Sequence, residues 1–273
     1  MNRLWVGIGS VVALVAVGAY FWLRQAPQQL PPPVAVVTPP VVAPPAPAEP
    51  AIGHPVQPPP GWSELPPLEQ ADGFVKDRLA ELLGAKAVKS TLQVEGFVRR
   101  VVVTVDNLPR SLAPPRMWPI QPTPGRFAVD SAGGARMIGA KNTVRYAPFV
   151  ALVEAVDAAR AVALYHRLYP LFQRAYEDIG YPGKYFNDRL VAVIDLLLAT
   201  PEPSGPLKVE LPDVQGPVKP VRPWLLYRFA DPALEGLATG QKILLRVGPD
   251  NGKRLKTKLA EIRKLIAKEK AGR

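Results

Sequence analysis

Residues 164–199 read LYHRLYPLFQRAYEDIGYPGKYFNDRLVAVIDLLLA, and this stretch decides the architecture. Tyr165, Tyr169, Phe172 and Tyr176 fall at i, i+4, i+7 and i+11, one face of a helix, and such an aromatic stripe belongs in a core. The alternative use of the stripe, a platform for carbohydrate or peptide, requires exposed hydroxyl edges. A turn follows at Gly180–Gly183. Leu190–Leu198 then runs LVAVIDLLL, apolar on every side of a helix, which marks a central buried element. Asp195 is the one charge in that run. A lone buried carboxylate is costly, so the reading predicts a buried structural Asp195 with a basic or hydroxyl partner from another segment. Asn187, Asp188 and Arg189 precede the run, where they predict a helix cap, with a polar recognition patch as the alternative.

Outward from this pair the periodicity stays helical over Tyr146–Ala199, with Asp157 as a cap and Pro170 as a kink or break. Further upstream, Asp72 caps a helix carrying Phe74, Val75, Leu79, Leu82 and Leu83, and Gly84 stops it. Glu95–Leu108 mixes β-branched valines with Phe97, Val101, Val105 and Leu108 at helical spacing, and the spacing predicts a helix. Pro109–Gly125 holds six prolines and must be irregular. Arg126–Val129 and Ala135–Ile138 flank Gly133-Gly134 and predict a hairpin. Asp231-Pro232 opens a helix that Gly248 closes, and Pro249 starts the last one, to about Lys270. The fold class is therefore mainly α, a helical bundle with a small β-hairpin, over residues 68–273.

Ahead of it stand two segments of other character. Leu4–Leu23, LWVGIGSVVALVAVGAYFWL, carries no charge between Arg3 and Arg24 and would span ~30 Å as a helix, the thickness of a bilayer's hydrocarbon. Trp5, Tyr20 and Trp22 stand at its ends, where interfacial rings are expected. A cleaved secretory signal fits less well, because no small-x-small site follows. Residues 1–24 thus predict a single-pass membrane anchor, and Gly9 and Ala13 allow a weak anchor-mediated homodimer. Positive charge tilts the head inward and the domain outward. Residues 25–67 hold 16 prolines and predict a disordered linker with polyproline II stretches.

Chemistry is sparse. The 273 residues contain no Cys and two His, His54 and His166, which excludes disulfides, thiolate sites and His-rich metal centres. No phosphate-cradling loop, zinc-protease or serine-elbow motif occurs, and Gly248–Arg254 has the wrong gap and ends in Arg where a hydroxyl residue is needed. Glu177, Asp178 and Asp188 are the nearest thing to a carboxylate constellation for glycan cleavage. No catalytic, cofactor or metal residue is assigned, and a non-enzymatic module is expected.

Three stretches carry a resemblance: FVRRVVVTVDNLPR (97–110), LYHRLYPLFQRAYEDIGYPGKYFNDRLVAVIDLLLATPE (164–202) and LYRFADPALEGLATGQKILLRVGPDN (226–251). They resemble the bacterial domain-of-unknown-function family 3014 over essentially the whole globular part. The resemblance implies an N-terminal anchor and a proline-rich stretch. It brings no activity, cofactor or catalytic residue.

Charge is the remaining clue. The formal net charge is +11. Much of it lies in the terminal helix, where Leu255, Leu259, Ile262 and Ile266 form a narrow apolar stripe and Lys253, Arg254, Lys256, Lys258, Arg263 and Lys264 fill the other faces. The stripe predicts packing on the bundle, and the basic faces predict either plain solubility or a docking surface for anionic lipid, an acidic wall polymer or an acidic protein. The leading expectation is a membrane-tethered extracytoplasmic binding or scaffold module at the bacterial inner membrane. A cell-envelope enzyme acting on wall glycan or peptide is the alternative. With reversed topology the basic face would meet nucleic acid, which is the least favoured reading.

Overall fold

The computed structural model describes residues 52–56, 65–213 and 221–267. The expected anchor at Leu4–Leu23 and most of the proline tract lie outside them, and among the described residues no helix is long and apolar enough to cross a membrane. The architecture is mainly helical with small antiparallel sheets, as the periodicities require.

Helix α1 (Asp72–Leu83) ends where Gly84 turns to φ 85°, and α2 (Ala85–Thr91) follows at once. Asp72 is the first helical residue, and its carboxylate accepts the Gly96 amide (2.8 Å), which ties α1 to the start of α3 (Phe97–Asn107). In α3 the spacing overrides the strand-like composition. Each valine costs at most ~0.7 kcal/mol of helix propensity, whereas burying Val98, Val102 or Val105 contributes ~1.5 kcal/mol or more.

Strands β1 (Val129–Ala132) and β2 (Ala135–Ile138) pair about Gly133-Gly134, both at positive φ. A two-residue turn of that kind needs strands flush against it, so the first strand is 129–132 and not the expected 126–129. A second sheet, β3 (Val209–Glu210) with β4 (Arg228–Phe229), was not foreseen, because two-residue strands carry no periodicity.

Helices α4 (Lys141–Ala155), α5 (Ala158–Asp178) and α6 (Phe186–Leu198) follow. Asp157 caps α5 as expected, accepting the Arg160 amide (2.8 Å). Pro170 does not break α5: Leu168, Tyr169, Leu171 and Phe172 around it are all buried, which outweighs a lost bond of ~3 kcal/mol. Asp231 caps the short α7 (Pro232–Glu235), but that helix does not run on to Gly248. The chain leaves it so that the amides of Thr239 and Gly240, opening α8 (Thr239–Arg246), donate to the carbonyls of Arg110 and Leu108 past the end of α3 (both 2.9 Å). A Cβ on Gly240 would meet the Leu197 Cδ2 methyl at 2.6 Å and Leu108 at 3.2 Å, so a larger residue there would have to displace the Leu197 side chain. Last, α9 (Pro249–Ile266) lays its stripe across α4, α5 and α6. The main core joins α1, α2, α3, α5 and α6, with Tyr169, Phe172 and Tyr176 buried in it.

The expected buried carboxylate is a different residue. The Asp195 side chain is 46% exposed, at the rim where α6 meets α9, and pairs there with Arg263 (Nη2–Oδ2 3.0 Å). The partner is basic and from another segment, but the burial is not there. The buried acid is Asp106, at the end of α3, with its side chain 6% exposed. It accepts from Arg110 (2.6 Å) and from the Tyr181 hydroxyl (3.2 Å). Arg189 sits 3.1 Å from its other oxygen and gives its hydrogen bond to the Asp106 carbonyl (2.8 Å).

Asn187 and Asp188 do not cap α6 and do not form a surface patch. Both act on the chain upstream. Asp188 accepts the amides of Gly53 (2.9 Å) and His54 (2.7 Å), and the Tyr185 hydroxyl accepts that of Val56 (2.7 Å). Asn187, with no exposure at all, donates from Nδ2 to the His54 carbonyl (2.8 Å) and the Ile266 carbonyl (3.0 Å), while its Oδ1 accepts from Tyr165 (3.0 Å). Residues 53–56, expected as part of a free linker, are a strap on the folded body.

Two outcomes follow from this packing. A chain starting at Gly61 should melt below one starting at Ala51, by about 4–8 °C for a loss of about 2 kcal/mol. Equal melting would remove the strap from the account. Asp106→Ala should cost ~2 kcal/mol by urea unfolding, because it removes the buried carboxylate that part-buried Arg189 and Tyr181 reach, whereas Asp195→Asn should stay within ~1 kcal/mol. A reversed ranking would show that burial has been misassigned.

Candidate functional site

The chemically distinct recess is lined mostly by residues from irregular segments. Trp118 follows a single turn at Pro115–Met117, and its indole N–H donates to the Ala113 carbonyl (3.1 Å). Phe127 precedes β1, and its ring lies 6.2 Å from that of Tyr227, just before β4. Trp224 comes from the turn Pro223–Leu225. Helix α4 adds Arg145 and Tyr146, and α8 adds Ile243 and Arg246, closing a cleft of about 270 Å³.

Three guanidinium groups stand on rings around this cleft. Arg126 lies 4.1 Å over Trp224, Arg145 4.9 Å over Tyr146 and Arg246 5.2 Å over Phe229. Arg145 fans its donors onto the carbonyls of Thr123 (2.9 Å), Pro124 (2.8 Å) and Gly125 (3.2 Å) and onto the Tyr146 hydroxyl (2.8 Å). Arg246 donates to the Tyr227 carbonyl (2.9 Å). Burial works against its charge and lowers its pKa, with Glu235 and Tyr146 pulling the other way. Among the described residues none of the three arginines joins an ion pair, and no carboxylate lines the cleft. Such a surface can hold an anion with a flat face. It offers no carboxylate or imidazole for proton transfer, and among the described residues no cluster of acids and histidines could hold a metal ion.

The residues expected to dock a partner are mostly engaged elsewhere. Lys256 donates to the Thr200 carbonyl past the end of α6 (2.9 Å) and to Glu202 (2.8 Å). Lys258 donates to the Val156 carbonyl at the end of α4 (3.0 Å) and pairs with Glu261 (2.7 Å). Arg254 grips Glu154 and Arg263 grips Asp195, lowering the pKa of each carboxyl through direct hydrogen bonds. Lys253 and Lys264 remain exposed. The basic faces of α9 thus join it to neighbouring segments, and among the described residues Lys253 and Lys264 are in no ion pair. Glu177, Asp178 and Asp188 are not brought together: Glu177 accepts from Gln173 (2.9 Å), Asp178 is held by Arg99 and Arg174, and Asp188 holds the strap.

Sequence reasoning missed the cleft because its aromatics follow no period. One signal was available. Trp118, Phe127, Trp224 and Tyr227 sit in proline- and glycine-rich stretches, where a large ring has no regular core face to join. A family model described as "Protein of unknown function (DUF3014)" matches residues 97–263. The chain belongs to this family. All of the cleft's lining lies inside the span matched to DUF3014, whereas α1, α2 and the strap precede it. No curated protein and no solved structure matches the chain.

The Arg145 fan makes a measurable demand. Arg145→Met should lower the unfolding free energy by about 2 kcal/mol and speed tryptic cleavage after Arg126, the residue following the loop it holds. An unchanged cleavage rate would mean that the loop is held by other contacts.

Proposed function

We propose that this protein is a binding module tethered to the bacterial inner membrane, with its domain on the extracytoplasmic side, and that the cleft takes an anionic, ring-bearing ligand of the acidic wall-polymer type. The observation that carries the reading is the set of three guanidinium groups, each stacked on an aromatic ring and each without a carboxylate partner among the described residues. Elsewhere on the domain arginines such as Arg254 and Arg263 are already neutralised. Guanidinium charge with no direct carboxylate contact in a partly dry setting favours an incoming anion, and the aromatic lining favours a ligand with a flat apolar face. The size points the same way. At about 270 Å³ the cleft lies just under the ~300–1,000 Å³ of small-molecule sites, which suits one ring and its charged substituent.

The test uses oligogalacturonate and its neutral methyl ester as probes of identical ring framework. Titrated into the full-length chain in detergent, the acid form should quench tryptophan fluorescence, with affinity falling as salt rises from about 0.05 to about 0.3 M. Arg246→Gln should weaken it about ten-fold, or about 1.4 kcal/mol. Equal binding of the ester, or no quenching by either, would overturn the proposal.

A further inference from the structure

A second, larger recess lies on the other side of the Arg145 loop. It is a groove of about 850 Å³ running between α2 and α4 and floored by the extended segment 120–124. Its apolar lining is aliphatic but for one ring: Leu83, Ala87, Ile120, Val144 and Leu152, with Phe149. Val144 and Leu152 stand eight residues apart on α4 with Pro148 between them, so α4 offers one continuous apolar edge to the groove. Val144 is 75% exposed, unusual for a valine on a helix whose other faces are packed.

Both walls are fixed in place. Gln121 donates from its side chain to the carbonyls of Lys89 (3.0 Å) and Leu92 (3.3 Å), and its amide donates to the Thr91 carbonyl (2.8 Å). Arg145 holds the carbonyls of Thr123, Pro124 and Gly125. The floor of the groove is therefore held in one arrangement, which lowers the ordering cost of binding.

Its charge is one-sided. Lys86 lines the groove and Lys89 follows one turn later on α2, and among the described residues neither joins an ion pair. No carboxylate lines it. The acids nearest in sequence to its walls, Glu81 and Glu154, are held by Arg78 and Arg254.

We propose that this groove docks an amphipathic helix of a partner protein, its apolar face on α4 and residue 120 and its acidic flank toward Lys86 and Lys89. An aliphatic groove with a single aromatic ring suits helix anchors at i, i+3, i+4 and i+7, whereas polyproline ligands favour walls rich in tryptophan and tyrosine. Size agrees. A helix about 10 Å across, rising 1.5 Å per residue, fills roughly 120 Å³ per residue, so the groove takes about two enclosed turns or about twice that of a half-inserted helix. The acidic flank supplies orientation and association rate more than raw affinity.

The experiment places a benzophenone amino acid at Val144, Ala87 or Lys253 of the full-length chain in its own membranes. The Val144 and Ala87 probes should crosslink the same protein, at a peptide with apolar residues at helical spacing and acids along one flank, and the Lys253 probe should not. Reversing Lys86→Glu with Lys89→Glu should cut the yield about five-fold or more while the melting temperature stays unchanged. Crosslinks to lipid, to a second copy of the chain or to a proline-rich peptide, no crosslink at all, or a yield indifferent to charge reversal would each overturn the proposal.

Discussion

Asn187 is the constraint on which the rest of the structure depends. A side-chain amide has two N–H groups and one carbonyl, and here both donors go to main-chain carbonyls, of His54 and Ile266, while the oxygen takes the Tyr165 hydroxyl. The residue is fully buried, so nothing else can satisfy those groups. Aspartate there would set an acceptor against two acceptors, and leucine would leave two carbonyls and a hydroxyl without partners. One residue thus joins the strap, the last turn of α9 and the aromatic face of α5 to the first turn of α6. The Ile266 carbonyl is one of those a helix leaves without an internal partner at its C-terminus, so Asn187 also closes the end of α9.

Placing the strap on α6 has a mechanical meaning. Residues 53–56 are held by Asp188, Asn187 and Tyr185, all at the start of the central helix, and not by α1, which follows them in sequence. A load arriving along the chain from the N-terminal side meets this set of hydrogen bonds before it reaches Leu68. The strap is thereby fastened to the helix whose Phe186 and Val193 are buried in the core.

How far the sequence could be read follows from what each feature depends on. Helices whose burial repeats at 3.6 residues were visible, including α3 against its own β-branched composition, and so was the hairpin, because two adjacent glycines name their turn. Asp195 shows the limit. The wheel of LVAVIDLLL is apolar all round, yet whether its one acid is buried depends on where α9 crosses, and that lies in no local pattern. Asp106 was invisible for the converse reason: nothing in VTVDNLPR marks its aspartate as buried, since Arg189 and Tyr181 reach it from far along the chain. Net charge was equally silent on where each cation goes. Lys256 and Lys258 end on the Thr200 and Val156 carbonyls just past two helices and Arg263 on Asp195, contacts that the count of charges could not reveal. Arg126, by contrast, lies over Trp224 in a loop, where no period points.

The cleft and the groove share a wall, and that constrains how either can be used. Arg145 lines both recesses, and the loop it holds presents Thr123 and Pro124 to the groove and Gly125 to the cleft. Its guanidinium makes hydrogen bonds to all three of those carbonyls, so displacing one of them strains the bonds to the other two. An occupant that displaces the loop toward one recess narrows the other, and one that leaves it in place does nothing across the wall. Linkage requires any such effect to be mutual: a ligand in the cleft that changes affinity in the groove by some factor must itself be bound more or less tightly by that same factor. The geometry also limits the size of the effect. The transmitting element is one side chain, so the coupling is set by its hydrogen bonds to Thr123, Pro124, Gly125 and Tyr146, about 1.5–3 kcal/mol each for a charged donor and not additive.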